Sequence, residues 1–103
     1  MSFENSRDLL GSASDHILLG RAADGDTDAF AVIVRRYAPM LRAFFTRITD
    51  DPSEADQLVR DSLETAWREL PQLSQGVYLQ TFLLLVADTQ AGKDGLDTHR
   101  PAA

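Results

Sequence analysis

Apolar residues recur along this chain at helical spacing, and no stretch alternates with the two-residue period of a strand. In SASDHILLGRAADGD, Ser14 or Asp15 can accept hydrogen bonds from a first turn, and Ile17, Leu18 and Ala22 give one apolar face. Gly20 weakens this short helix and Gly25 stops it. Asp26 or Thr27 caps a longer helix, in which Phe30, Ile33, Val34, Tyr37, Leu41, Phe44, Phe45 and Ile48 form a stripe with a period near 3.6 residues. Arg35, Arg36, Arg42 and Arg47 lie on or near its other side. Pro39 removes one backbone donor inside the pattern, which predicts a kink or a break near Tyr37.

The stretch TDDPSEAD starts a third helix. Asp51 caps it, Pro52 fits the first position and Glu54 stands where a capping box needs an acid. Ala55, Leu58, Val59, Ser62, Leu63, Ala66 and Leu70 share its inner face, Trp67 lies at the edge, and Pro71 stops it. A last helix is expected from Ser74 or Gln75 to about Ala91, with Gly92, Gly95 and Pro101 ending regular structure. The prediction is an all-α bundle of four helices over residues 13–92, with a flexible arm at 1–12 and a flexible tail at 93–103.

Charge sharpens this picture. The chain of 103 residues carries a net charge of −6. Residues 1–49 hold six acids and six bases, whereas residues 50–103 hold ten and four. A nucleic-acid binder normally presents a basic face, and the acidic half works against long-range attraction to DNA. The absence of cysteine excludes disulfides and thiolate metal sites. MSFENSRDLLG has no basic segment followed by an apolar one, and the longest apolar run, FLLLVA at 82–87, is far below the roughly 20 residues of a membrane helix. The expected setting is cytoplasmic, with no membrane contact.

The residues also argue against an enzyme. His16 and His99 have no nucleophile or metal-ligand partner at useful spacing, and no glycine-rich phosphate loop is present. DGDTD at 24–28 looks like half a calcium loop, but Arg35 or Arg36 stands where the bidentate acid belongs. The acids between Asp50 and Glu64 are explained by capping and one solvated helix face. No cofactor and no metal are expected.

The stretch LLGRAADGDTDAFAVIVRRYAPMLRAFFTRITDDPSEADQLVRDSLETAWREL resembles region 2 of extracytoplasmic-function sigma factors, within the sigma-70 family. Its Gly-Asp turn, the following Phe, RRYAP, and the acidic start before an Ala-Trp pair occur in that family's order, and the likeness covers about residues 15–91. The resemblance implies a helical domain in bacterial transcription initiation, docked on the coiled coil of the RNA polymerase β′ clamp. The docking candidates it implies are Asp56, Gln57, Arg60, Asp61 and Glu64. The family usually reads Glu-Asp-Leu-Val-Gln-Glu where this chain has Asp56, Gln57, Leu58, Val59, Arg60 and Asp61. Exchanges at such polar contacts weaken docking by about 1–3 kcal/mol per buried contact.

The last helix departs further. The family's Trp-Leu-x-x-Ile-Ala-Arg-Asn becomes Phe82, Leu83, Leu84, Leu85, Val86, Ala87, Asp88 and Thr89. Leu83, Val86 and Ala87 keep the core positions. By the resemblance this helix and the loop before it hold an opened promoter strand, so Phe82, Leu85, Asp88 and Thr89 occupy a degenerate DNA-recognition helix. Asp88 repels phosphate, and PQLSQG offers neither cation nor aromatic ring. The family's C-terminal helix-turn-helix domain is not found before Ala103. Three readings follow: a sigma region 2 domain that joins polymerase; a degenerate module that binds an anti-sigma factor or another protein; and an unrelated helical interaction protein. Promoter DNA binding by the isolated chain is expected to be weak or absent. Leu84 and Leu85, left outside the core, suggest self-association.

Overall fold

The computed structural model describes residues 10–73, 76–93 and 95. Four helices dominate: α1 (Asp15–Ala23), α2 (Thr27–Thr46), α3 (Pro52–Glu69) and α4 (Leu79–Lys93), with a 3₁₀ turn at Leu70–Gln72. No strand occurs among the described residues. The all-α bundle read from the sequence is the observed fold. The helix α2 packs against each of the other three, and α3 packs against both α2 and α4.

Local chemistry sets the helix ends. The Ser14 hydroxyl accepts from the Ile17 amide (3.3 Å) at the start of α1. At its end the Gly25 amide donates to the Ala22 carbonyl (2.9 Å) and the Asp26 amide to that of Arg21 (3.0 Å), with Gly25 at φ +94°. This is a Schellman closure, which needs the left-handed conformation that glycine adopts freely. Asp26 then opens α2: its Oδ1 accepts from the Asp28 and Ala29 amides (3.0 and 3.1 Å), and its Oδ2 pairs with Arg21 (2.8 Å). The Ala29 amide holds the Asp26 carboxyl below its usual range; burial opposes it, and the Arg21 guanidinium adds to the lowering.

Asp51 caps α3 by accepting from Ser53 and Glu54, and Pro52 takes the first helical position, as read. The reciprocal half of a capping box is not made by Glu54. The Asp51 amide donates to Thr49 Oγ1 instead (3.2 Å), because the threonine precedes the cap by two residues and reaches it first. The helix α3 ends at Glu69, and Pro71 sits within the 3₁₀ turn that follows.

The core combines Leu18, Ile33, Leu41, Phe45, Leu58, Leu70 and Leu83 with small residues such as Ala29, Ala66 and Ala87. The expected inner face of α3 is buried except for the partly covered Leu63. Other expectations need correction. Helix α1 turns Leu19 inward and leaves Ile17 52% exposed. In so short a helix the two phases differ by one residue, and contact with α2 selects between them. On α2 the buried residues are Ala29, Val32, Ile33, Leu41 and Phe45, while Phe30, Val34, Tyr37 and Phe44, and Ile48 just past its end, are half-buried. Ala29 lets a neighbouring helix approach, and Phe30, Tyr37 and Phe44 flank the contact line, whereas Phe45 lies within it. The expected break near Tyr37 is absent, since α2 runs unbroken through Pro39. Pro39 is exposed, so water can serve the carbonyl it leaves unbonded.

Most of the expected arm at 1–12 and tail at 93–103 lies outside the described residues. Leu10, inside the expected arm, is buried in the core. Ser74 and Gln75, the expected start of α4, are also outside the described residues. The helix begins at Leu79, where the Phe82 amide reaches the Tyr78 carbonyl (3.0 Å), and Gly76 at φ +97° shows that the chain is still turning before it.

Candidate functional site

Two outward faces carry the residues singled out by the sequence. On α3, Gln57 Nε2 donates to Asp61 Oδ1 (2.8 Å) and Arg60 Nη2 donates to Gln57 Oε1 (2.9 Å). The i, i+3 and i, i+4 spacings put these three side chains on adjacent turns, so the two positions that differ from the family pattern bond to each other. Asp56 is directed elsewhere: it pairs with Arg42 of α2. Glu64 is exposed one turn beyond Arg60 and borders an apolar groove with Thr27, Phe30, Leu63 and Trp67.

That groove was not legible as a site. Its walls come from α2 and α3, and Phe30 and Trp67 meet at 4.9 Å between ring centroids with their planes at 53°. Its volume is about 260 Å³. Small-molecule sites occupy roughly 300–1,000 Å³, so the space suits an inserted protein side chain. The only sequence signal was Trp67 at the edge of the inner face of α3. Pairing it with Phe30 requires the packing of two helices.

The α4 face is different. Phe82 is 5% exposed and belongs to the core, so its ring is closed to a stacking base. Leu85 is 61% exposed, and Thr89, one turn later, is also exposed. Asp88 is half-buried between these faces. Leu85 and Thr89 line a shallow groove with Phe82 and Val86, Glu69 of α3, and Lys93. Leu84 faces another hollow, with Asp15, His16, Leu19 and Tyr78. The two leucines suggested for self-association therefore serve separate surfaces.

The late start of α4 also returns an aromatic residue to the loop before it. Tyr78 is 80% exposed and precedes the helix, whereas a helix from Ser74 or Gln75 would contain it. Gly76 was the available signal.

The cations of α2 are partly engaged. Asp15 of α1 accepts from Arg36 Nη1 (2.7 Å) and from the Tyr37 hydroxyl, while Arg36 Nη2 donates to the Gly11 carbonyl (3.1 Å). Burial, and then the Asp15 carboxylate, push the Tyr37 hydroxyl up to about 12. Arg35 and Arg42 flank a hollow over Ala38 and Pro39. No cluster of three potential metal ligands occurs among the described residues, and no described helix is long and apolar enough to cross a membrane.

A family model, sigma-70 region 2, matches residues 33–94, more than half of the chain. The matched span covers most of α2 and all of α3 and α4, and excludes α1. No curated protein and no solved structure matches the chain.

Proposed function

The chain belongs to the sigma-70 region 2 family, and from that premise we propose that it acts in bacterial transcription initiation or its regulation by docking on RNA polymerase through the outer face of α3. Region 2 of sigma-70 is a non-enzymatic transcription-factor domain that works with the polymerase core. The observation that carries the proposal is the junction at Glu64. There the bonded set Gln57, Arg60 and Asp61 meets the groove walled by Phe30, Leu63 and Trp67. Polar residues beside an apolar anchoring pocket are the usual anatomy of a protein interface. The bonds among Gln57, Arg60 and Asp61 hold those side chains in place before a partner arrives, which lowers the entropic cost of docking.

A second reading has its own support. The helix α4 carries Asp88 and a single cation, Lys93 in its last turn, on a face where a promoter binder needs several. On this reading the chain docks on polymerase or on an anti-sigma factor through the same α3 face without holding promoter DNA. The ECF subtype and the β′ clamp as the contact point follow from the resemblance and belong to the proposal.

The deciding experiment measures binding of the chain to bacterial core polymerase. The double charge reversal Arg60→Glu/Asp61→Arg should weaken binding by about tenfold or more while the melting temperature barely changes. Unaltered binding would move the interface off α3. Fluorescence anisotropy with a labelled −10 single strand and a forked duplex separates the two readings. No binding at physiological salt is expected; micromolar, sequence-dependent binding that weakens with salt would favour a promoter-engaging sigma factor.

A further inference from the structure

We propose that the groove between α3 and α4 is a self-complementary surface through which two copies of this chain pair with their α4 helices antiparallel. The proposal is independent of polymerase docking, since none of Gln57, Arg60, Asp61 and Glu64 lines this groove.

The argument starts from composition. One face of α4 is consumed by the core: Leu79, Phe82, Leu83, Val86, Ala87 and Ala91 are buried. Leu85 is apolar, exposed and unnecessary to that core. A helix that is apolar beyond its buried face is normally covered. Leu85 stands on the rim of a groove floored by Phe82 and Val86.

The charges at the two ends of this groove select the occupant. Glu69 is the last residue of α3, and the short connection from it to Leu79 brings it to the early part of α4, near Phe82. Lys93 closes the other end. The eleven helical steps from Phe82 to Lys93 span about 16 Å at 1.5 Å each. Neither Glu69 nor Lys93 has an ion pair among the described residues. A two-fold axis crossing α4 midway between Phe82 and Lys93 brings the acid of each copy to the base of the other. Leu85 then lies within one turn of that axis, so the two leucines enter the shared groove side by side. An isologous interface demands this reciprocity, in which each contact occurs twice. A nucleic-acid strand meets one cation, Lys93, and repulsion from Glu69, so its chemistry fits the groove poorly. Pairing would cover Leu85 and Thr89, and so exclude any strand from this face.

Sedimentation equilibrium of the full chain over a concentration series tests the proposal. A reversible monomer–dimer equilibrium is expected. Leu85→Lys should abolish it, with circular dichroism confirming an intact fold. Glu69→Lys and Lys93→Glu should each weaken pairing by about tenfold, since each replaces two attractions with two repulsions. The double exchange Glu69→Lys/Lys93→Glu should restore it. A monomer at every concentration, or single reversals that leave pairing unchanged, would overturn the proposal. So would a double exchange that fails to recover pairing, or a Leu85→Lys variant that loses single-strand DNA binding without a change in mass. Polymerase is absent from these measurements, so their failure leaves the docking proposal untouched.

Discussion

The outer faces of α3 and α4 belong to one small domain, yet they have opposite chemistry. On α3 the exposed side chains are polar and bonded to one another, and they border an apolar groove. On α4 an exposed leucine stands over an apolar floor with a single charge at each end. Inside, the two helices obey the same rule: Ala55, Leu58, Val59 and Ala66 are as buried as Leu83, Val86 and Ala87. Burial constrains the inner positions through packing density. The outer positions answer only to what they touch. Two outer faces of one region 2 frame can therefore differ in chemistry while the core beneath them follows one rule.

The largest effect should come from the core that both faces share. Leu41 is fully buried on α2, and Leu41→Ala should cost about 2–5 kcal/mol. Thermal unfolding would measure this, and polymerase binding and pairing should decline together as the domain loosens. If one declined alone, the two faces would belong to separately stable units.

A smaller change should separate them. Trp67→Ala removes one wall of the α3 groove and its contact with Phe30. It should cost about 2 kcal/mol of stability and weaken polymerase binding by tenfold or more, with pairing through α4 unchanged. Equal loss at both faces would mean that Trp67 acts through the fold.

These expectations differ in how far the sequence foretold them. The inner face of α3 was legible because Ala55, Leu58, Val59, Ser62 and Ala66 repeat cleanly between an Asp51–Pro52 start and Pro71. The caps Ser14, Asp26 and Asp51 were legible for the same local reason. On α2 the stripe of large apolar residues does not reveal Ala29 and Val32, because smaller side chains mark close helix approach only once the partner helix is known. The pattern predicts a start of α4 at Ser74 or Gln75, which would put Tyr78 inside a helix that in fact begins after it. The family pattern names docking candidates. That Asp56 turns away to Arg42 while Gln57, Arg60 and Asp61 join one another depends on side-chain geometry.

A gain of stability should come from Ser62, on the inner side of α3. Its hydroxyl is buried with no hydrogen-bond partner among the described residues. Ser62→Ala should raise stability by about 1 kcal/mol and leave both outer faces unchanged. A loss on chemical denaturation would reveal a partner for that hydroxyl.

The smallest effect lies away from both faces, at the contact of α1 with α2. The Tyr37 hydroxyl, pushed up to about 12, keeps its proton in the folded chain where an unfolded tyrosine loses it near 10. The stability it contributes is complete below about pH 10 and is lost as pH rises towards 12. Tyr37→Phe should flatten stability over that interval, and an unchanged slope would dissociate Tyr37 from Asp15.

Pro39, near the middle of α2, has a consequence for how the domain assembles. An isolated peptide would not carry a helix through it, since an interior proline costs about 3 kcal/mol. The unbroken α2 is therefore a product of docking: Ile33 ahead of the proline and Leu41 after it are both anchored in the core. Each half is held by its own neighbours, and no backbone bond runs from position 39 to the Arg35 carbonyl. Amide exchange should divide there, with the protection of residues 30–38 and 41–46 responding separately to mutations in the helices that cover them. A single protection factor across the whole of α2 would make it one rigid rod. Two independent ones would make it a splice, joined by the fold around it.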